Sequence, residues 1–322
     1  MIVYRELSSL AHDLGISAKT LYAVSNHLGK HYRNTDIPKK GGGFRRLSVP
    51  DAVLKTIQKR IVDVLLVHMP VSSYAKSYRF GSSTLRNARH HVGKPVVLKL
   101  DILHFFDSIR YCAVKDTVFP EDIYAEPLRI LLTMLCYYKE SLPQGAPSSP
   151  AITNILLRDF DEALGQWCRE RDITYTRYCD DMTFSGDFDP GEVICHVTEA
   201  LKKIGFLLNS QKIRVQRPGQ QQSVTGIVVN EKLSIPAAYR RKLRQELYYC
   251  KKYSIREHLL KTGEETDEEA YLLRLLGKVN YVLQVSPENR EMQEARSWLR
   301  ALHKTGCKGG KPNGIQVTAP WK

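Results

Sequence analysis

Two adjacent carboxylates, Asp180 and Asp181, are the residues of this 322-residue chain best suited to chemistry. Like charges side by side repel and raise each other's pKa, and a divalent cation removes that cost. With a third carboxylate from elsewhere in the chain, the pair could hold two Mg²⁺ ions about 4 Å apart, as in phosphoryl and nucleotidyl transfer. Aspartate pairs are also common in ordinary turns, so a purely structural turn remains an alternative.

A hairpin must position this pair. β-Branched and aromatic residues lie on both sides of the two aspartates across residues 173–186, which predicts two short strands joined by a tight turn. The apolar run at residues 96–100 predicts a buried strand that ends at Asp101. Site residues often follow strand ends, so Asp101 is the candidate for the third carboxylate.

The charge of the chain indicates an anionic partner. The net charge is +14 and the pI is about 9.4. Residues 1–50 carry +5, residues 51–236 carry +2 and residues 237–322 carry +7. This distribution predicts a nearly neutral core between segments that bind nucleic acid, although either basic end alone could simply be a solvated surface.

Cysteine spacing and hydropathy exclude several other classes. None of the seven cysteines forms a Cys-x-x-Cys pair, so neither a zinc site nor a redox motif is indicated. No secretory signal is recognisable at the N-terminus and no apolar run approaches the length of a membrane span. We therefore expect reduced thiols, a cytoplasmic location and no membrane contact.

The N-terminal pattern leaves a binding module open as a different class of function. Residues 7–27 predict two short helices around Gly15, with Ser17 as the N-cap of the second. This arrangement looks like a helix-turn-helix DNA reader, although a packed helical pair is the simpler interpretation. Residues 39–46 combine glycines with cations and predict a hairpin that presents Lys and Arg to phosphates, or a flexible basic turn.

The remaining patterns predict further helices and one further strand. A turn-rich loop at 142–150 leads into one helix reaching Trp167, with Ser149 as N-cap and Pro150 in first position. Residues 193–204 predict a helix and residues 224–229 a strand. From Pro236 onward the pattern is helical, with a capping box from Thr266 to Glu269, a helix start at 286–287 and a loose tail after residue 304.

Four segments in this order resemble the palm motifs of reverse transcriptases. They lie at residues 101–106, 142–150, 178–181 and 205–212. The resemblance implies an α+β, right-hand polymerase with fingers, a palm in which an antiparallel sheet packs on helices, and a helical thumb. The implied boundaries are a helical segment at 1–38, fingers at 39–94 and 112–150, palm at 95–111 and 151–236, and thumb with a basic tail at 237–322.

Two shorter strings resemble the retron subfamily of these enzymes. Residues 87–91 fit its Asn-Ala-x-x-His pattern, and residues 224–226 fit its Val-Thr-Gly pattern. Group II intron enzymes are the nearest competitor, but they would be longer. Another palm enzyme, such as a nucleotide cyclase, is a further alternative, which the Leu-Pro-Gln-Gly string at 142–145 disfavours.

The resemblance also implies roles for individual residues. Two Mg²⁺ ions would be held by Asp101, Asp180 and Asp181, with the Ile102 carbonyl also touching a metal. The candidate dNTP-binding residues are Arg45 as triphosphate clamp, assisted by Lys39 or Lys40, Phe106 as the steric gate that excludes a ribose 2′-OH, and Gln144. Phe106 could instead be a core aromatic. The candidate RNA-binding residues are Asn87, His91, Val224, Thr225, Gly226, Arg240, Arg241 and Arg244.

A retron enzyme would reverse transcribe part of its own structured non-coding RNA. The resemblance implies priming from the 2′-OH of an internal guanosine, which gives a branched RNA–DNA molecule, msDNA. It implies dNTPs as substrates, the cognate RNA and its cDNA product as partners, and a possible accessory effector protein in antiphage defence. Contacts to structured RNA of this kind should be strongly salt-dependent.

Overall fold

The computed structural model describes residues 2–38 and 42–304, in two compact units divided between Gln220 and Gln221. The boundary lies before the expected palm–thumb junction at residue 236, and the division into fingers, palm and thumb stays a prediction. Lys39, Lys40 and the tail after residue 304 lie outside the described residues. In the part of the chain described here, no helix is long and apolar enough to cross a membrane.

The first unit combines helices with a five-stranded antiparallel sheet. Its helices are α1 Leu7–Leu14, α2 Ala18–Asn26, α3 Leu28–His31, α4 Ala52–Val64, α5 Thr84–Arg89, α6 Tyr111–Ala113, which continues as a π-helical turn Val114–Val118, α7 Glu126–Cys136, α8 Ser149–Leu156, α9 Arg158–Arg169 and α10 Pro190–Lys203. Its strands are β1 Tyr32–Pro38, β2 Phe44–Pro50, β3 Val96–Leu103, β4 Thr174–Tyr178, β5 Asp181–Gly186, β6 Leu207–Leu208 and β7 Arg214–Gln216.

Strand β3 lies at the centre of this sheet. The strand order is β4-β5-β3-β6, and β7 also pairs with β3. Leu98 and Leu100 of β3 are buried with Phe184 of β5 in one hydrophobic core, together with helix residues such as Leu164 and Val197. This packing holds the sheet against helices α9 and α10, which contact β4 and β6 respectively.

Two elements extend further than the sequence predicts. The segment 1–38 is helical only as far as His31, because Tyr32–Pro38 pairs with Phe44–Pro50 as an antiparallel hairpin. Strand β3 continues past the predicted end to Leu103, since Ile102 and Leu103 pair with β6. Asp101 therefore lies within a strand, where its backbone position is fixed on both sides.

The helix after Pro150 differs from its prediction. It divides at Leu157 into α8 and α9, and Ser148, not Ser149, precedes the first helical residue. The Ser149 hydroxyl instead donates a hydrogen bond to the Pro143 carbonyl (2.7 Å), within the preceding loop. This contact closes the loop onto the start of the helix.

The predicted helix-turn-helix pair packs into the body of the first unit. Leu10 and Leu14 of α1 and Leu21 of α2 are fully buried in its core. Ser17 caps α2 by accepting a hydrogen bond from the Thr20 amide (3.1 Å), as predicted. The second helix contacts α7, so it is part of the core and not a detached reader.

The second unit is a hairpin followed by helices around a separate core. Its elements are β8 Ser223–Val224, β9 Ile227–Val228, α11 Ala237–Tyr253, α12 Ile255–Thr262, α13 Glu268–Val285 and α14 Arg290–Lys304. The predicted single strand at 224–229 is wrong, because Thr225 and Gly226 form a turn with φ of 47° and 83°. Asp267, not Thr266, caps α13, and α14 begins at Arg290, after the predicted start.

Candidate functional site

The strand register brings the three aspartates together. Asp101 of β3 lies directly opposite Asp181 of β5, so both side chains leave the same face of the sheet. Asp180 belongs to the two-residue turn between β4 and β5, and its carbonyl accepts a hydrogen bond from the Ile102 amide (3.2 Å). The predicted hairpin is therefore confirmed, and its tip is docked against β3.

The pKa values of the turn carboxylates show the cost of this crowding. Burial, followed by the charge of Asp101, raises the pKa of Asp180. Asp181 is exposed as a residue, but desolvation of its carboxylate by the surrounding protein, followed by the charges of Asp180 and Asp101, raises its pKa to about 6. Negative charge is therefore concentrated at the tip beyond what the surrounding protein neutralises.

Lys212 compensates Asp101. Its ammonium group lies 2.9 and 2.8 Å from the two carboxylate oxygens, and the Asn209 side-chain amide donates to the same carboxylate at 3.1 Å. The Asn209 backbone amide also donates to the Asp101 carbonyl (2.8 Å). The segment at 205–212 thus supplies a cation, Lys212, to the site. The sequence resemblance identified this segment as a motif but did not predict its ion pair with Asp101.

The predicted Mg²⁺ site fits the chemistry of these side chains. Hard carboxylate oxygens are the ligands that Mg²⁺ prefers, and the raised pKa values indicate charge that a cation would neutralise. Among residues 2–38 and 42–304, no three His, Cys, Asp or Glu side chains converge closely enough to form a metal cluster as they stand. The Asp101 carboxylate pairs with Lys212 instead.

Cys179, the first residue of the turn, is held from both sides. It adopts a left-handed φ of 62°, its amide donates to the Ser77 hydroxyl (2.8 Å), and its carbonyl accepts from Arg177 Nη1 (2.9 Å). A non-glycine residue adopts this conformation at a cost, so the surrounding contacts must enforce it. The turn is thereby preorganised before any ligand binds.

A buried ion pair carries this restraint into the core. Arg177 and Asp161 are both fully buried, and the guanidinium donates to the carboxylate at 2.8 Å from Nε and 2.6 Å from Nη2. The Tyr175 hydroxyl donates to the same carboxylate (2.8 Å), and Arg177 Nη2 lies 3.4 Å from the Asn154 side-chain oxygen. Sequence reasoning missed this network. The available signal was an arginine inside an otherwise buried strand, which requires a partner.

His91 joins the two strands of the same hairpin. Its ring nitrogens lie 2.7 Å from the Thr176 hydroxyl of β4 and 2.7 Å from the Ser185 hydroxyl of β5. Burial lowers its pKa to about 3, so the ring is neutral. Asn87 and His91 are both fully buried, so neither side chain reaches the surface in this structure, and their contact with RNA stays a prediction. His91, the last residue of the Asn-Ala-x-x-His string, thus supports the hairpin from inside the protein.

The loop at 142–150 connects the candidate nucleotide-binding residues. The Ser48 amide of β2 donates to the Gln144 carbonyl (2.8 Å), and the Leu142 amide donates to the Phe106 carbonyl (3.2 Å). Gly145 has a φ of 119°, and a Cβ there would lie 2.9 Å from the Ser48 carbonyl oxygen. The loop therefore links the strand of Arg45 to the half-buried ring of Phe106.

Arg45 itself is exposed on β2, opposite Ile37. Phe106 packs edge-on against Phe105 at 5.2 Å between ring centroids. The clamp and gate roles of these residues stay predictions, as does a metal contact of the Ile102 carbonyl.

The second unit displays part of the predicted RNA surface. Arg240, Arg241 and Arg244 are exposed on α11, and Arg244 pairs with Glu291 at 2.8 Å. In the turn of the hairpin, Gly226 is exposed and Thr225 is half-buried, whereas Val224 is fully buried. Contact of these residues with RNA remains a prediction.

Comparison with known proteins identifies the class to which this fold and site belong. The family model described as reverse transcriptase (RNA-dependent DNA polymerase) matches residues 37–229, which include the three aspartates and the hairpins around them. The chain belongs to this family and is an RNA-directed DNA polymerase. The nucleotide-cyclase and non-catalytic alternatives are thereby set aside.

The similar proteins place the chain among the retron reverse transcriptases. It is 33% identical to the retron Mx65 reverse transcriptase of Myxococcus xanthus over 90% of this chain and 70% of that protein. The retron Mx162 enzyme of the same organism is 33% identical over 69% of this chain and 53% of its own length. The retron Ec86 enzyme of Escherichia coli is 30% identical over 80% and 82%. These relatives favour the retron over the group II intron alternative.

Proposed function

We propose that this protein copies a structured non-coding RNA of its own retron into DNA. Synthesis would start from the 2′-OH of an internal guanosine and give branched msDNA, with a role in antiphage defence alongside an accessory effector. Two observations support the proposal: the retron relatives over most of the chain and the three aspartates gathered on β3 and the β4–β5 hairpin.

Asp101, Asp180 and Asp181 would hold two Mg²⁺ ions. Such ions lower the pKa of an attacking hydroxyl and stabilise charge on the leaving pyrophosphate. The protein would supply the carboxylates in ionised form, beside a turn whose backbone is fixed by Ser77 and Arg177. Lys212 neutralises Asp101 until a metal binds.

The dNTP would be selected at the loop around Gln144. Arg45 would bind the triphosphate through its forked guanidinium, and Phe106 would leave no room for a ribose 2′-OH. The backbone contacts between β2, the loop and Phe106 support this grouping, since they bring the strand of the clamp and the gate to one loop. The exposed arginines of α11 and the 224–226 turn would contact the RNA.

A primer-extension assay tests the catalytic assignment. With an RNA template, dNTPs and Mg²⁺, we expect Asp180→Asn to lower incorporation by more than about 100-fold, because it removes charge at the metals. The matched control is Asp187→Asn, which changes an exposed aspartate just beyond β5. Equal activity of the two variants would contradict the assignment of Asp180.

Sequencing the nucleic acid that copurifies with the wild-type protein tests the retron-specific part. We expect DNA joined to an internal guanosine of an RNA through a 2′–5′ linkage. Ordinary cDNA without a branch, from an active enzyme, would leave the polymerase assignment intact and refute self-priming.

A further inference from the structure

The second unit contains a cavity of about 580 Å³ that none of the predicted RNA contacts lines. It is bounded by α11, α12, the segment that follows α12, and the start of α13. Cavities of this size are typical of sites for small ligands. Its wall combines aromatic rings with lysines, and this combination limits the chemical classes of ligand that fit the cavity.

The aromatic part of the wall consists of rings that lie almost parallel. The ring centroid of Tyr249 is 6.2 Å from that of Tyr253, with planes 19° apart, and 6.1 Å from that of His258, with planes 13° apart. Tyr249 is exposed and Tyr253 is half-buried, but the Lys261 ammonium covers one face of the Tyr253 ring, so a ligand that stacks there must displace this lysine. Exposed aromatic faces of this kind are suited to stacking on a planar ligand.

His258 supplies a second, independent observation. Its residue is only 8% exposed, and it lines the cavity. Its ring contacts are with the tyrosines, including Tyr271 at 5.7 Å. An imidazole can both donate and accept a hydrogen bond, so its position at this wall suits a polar ligand in the cavity.

The charge of the wall is positive once its ion pairs are taken into account. Glu246 is paired with Lys278 at 2.7 Å, and Glu264 with Arg274 at 2.5 Å. Lys242 and Lys261 line the same cavity, and within residues 2–38 and 42–304 neither lysine forms an ion pair. The ammonium of Lys261 lies 3.7 Å from the centroid of the Tyr253 ring. A ligand that carries both a planar ring and an anionic group matches this wall.

We propose that this cavity binds an unpaired nucleotide of an RNA strand, with its base stacked on Tyr253 or Tyr249 and its phosphate near Lys261 or Lys242. Single-stranded nucleic acid is commonly held in this way, by aromatic faces beside a cationic surface. The choice of RNA rests on the proposed function, in which this unit contacts the structured RNA. The cavity would hold a nucleotide that the folded RNA leaves unpaired.

Binding of a short single-stranded RNA that carries one 2-aminopurine tests the proposal with the full chain. We expect the fluorescence of the probe to be quenched on binding, and Tyr253→Leu to weaken its affinity by about 10-fold through loss of a stacking face. Lys261→Gln should weaken the affinity and flatten its salt dependence. The matched control is Tyr248→Leu, because Tyr248 lies on the same helix but does not line the cavity.

A second probe separates base stacking from phosphate attraction. The second probe is the same RNA with an abasic site in place of 2-aminopurine. Wild type should bind this abasic RNA more weakly than it binds the 2-aminopurine RNA. Tyr253→Leu should bind the two RNAs with equal affinity. Equal loss in Tyr253→Leu and Tyr248→Leu, or no effect of either, overturns the proposal. So does free 5′-AMP binding as tightly as the RNA, because the site would then be one for a mononucleotide. None of these outcomes depends on whether the enzyme primes from a guanosine.

Discussion

Two hairpins of the first unit carry candidate site residues, and they are held in opposite ways. The β4–β5 hairpin carries Asp180 and Asp181, and its strands are fastened by the buried ion pair of Arg177 with Asp161 and by His91. The β1–β2 hairpin carries Arg45, and its cross-strand ion pair between Arg46 and Asp36 at 3.2 Å has side chains 72% and 48% exposed.

This difference separates two requirements of the proposed reaction. Groups that stabilise charge in the transition state act best when they are fixed beforehand in a site shielded from water. A group that binds a triphosphate must admit the substrate first, and an exposed hairpin can do so. The β4–β5 hairpin should therefore be sensitive to loss of its buried contacts, and the β1–β2 hairpin to loss of its contact with the triphosphate.

The largest effect should come from Arg177→Met, which breaks the buried pair. Removing one partner leaves Asp161 charged and unpaired in the core, at a cost of about 3–5 kcal/mol in the free energy of unfolding. Arg171→Met is the control, since the Arg171 side chain is 40% exposed and pairs with Glu192 at 3.4 Å, so its loss should cost less than about 1 kcal/mol. Denaturant unfolding measures both, and similar costs would contradict the role of the buried pair.

This pair also shows where sequence reasoning ends. The ordered motifs predicted the hairpin and its aspartates because turn residues and strand-forming residues are local signals. Arg177 and Asp161 are 16 residues apart on different elements, and no periodicity links them. The strand beyond Asp101 was missed for the same reason, because Ile102 is held in β3 by pairing with Leu208, a contact made by a distant segment.

The next largest effect should come from Arg45→Ala on the exposed hairpin. If the guanidinium binds the triphosphate, its loss should raise the KM for dNTP by about 10-fold or more, the usual value of a charge-assisted hydrogen bond, with a smaller change in kcat. Unfolding should be unaffected because Arg45 is exposed. Steady-state kinetics of Arg46→Ala, its neighbour on β2, provides the comparison, and equal KM values for both variants would refute the clamp.

Asp181→Asn should have a smaller effect, and it should stabilise the metal-free protein where Arg177→Met destabilises it. Because the folded-state pKa is raised from 3.8 to about 6, the folded protein holds a proton that the unfolded chain releases. The contribution of Asp181 to the free energy of unfolding therefore falls as pH rises from about 4 to 6. Above pH 6 the carboxylate is ionised in both states, and the full destabilisation by its charge is present. Removing the charge should stabilise the metal-free protein above pH 6 by about 1 kcal/mol, a value reduced by solvent screening of the exposed side chain.

Thermal unfolding in EDTA at pH 4 and pH 7.5 checks this expectation. The two proteins should differ least at pH 4, and Mg²⁺ should raise the melting temperature of wild type at pH 7.5 more than that of the variant. A variant less stable than wild type at pH 7.5 without metal would mean that Asp181 makes a favourable contact that outweighs the repulsion.

Burial is a second property that the sequence does not show, and the predicted RNA contacts of Asn87 and His91 illustrate this. The Asn-Ala-x-x-His pattern that contains Asn87 and His91 is recognisable in the sequence. A sequence pattern does not show whether its side chains face the solvent or the core. The structure turns both inward, and His91 bonds Thr176 and Ser185. The turn at 225–226 was missed although its Gly was a signal, because the flanking valines and isoleucine read as one continuous strand.

The smallest effect should come from Cys179→Ala, in the turn of the β4–β5 hairpin. Burial, then the charge of Asp180, raises the pKa of the Cys179 thiol to about 11, so the thiol stays protonated and is no metal ligand as it stands. The hydrogen bond that the thiol accepts from the Tyr78 hydroxyl, at 3.4 Å, is weak. The contacts that hold the turn use the backbone of Cys179, and alanine preserves them. Primer extension should therefore change by less than about two-fold, whereas a loss as large as that of Asp180→Asn would mean that the sulfur itself takes part in the site.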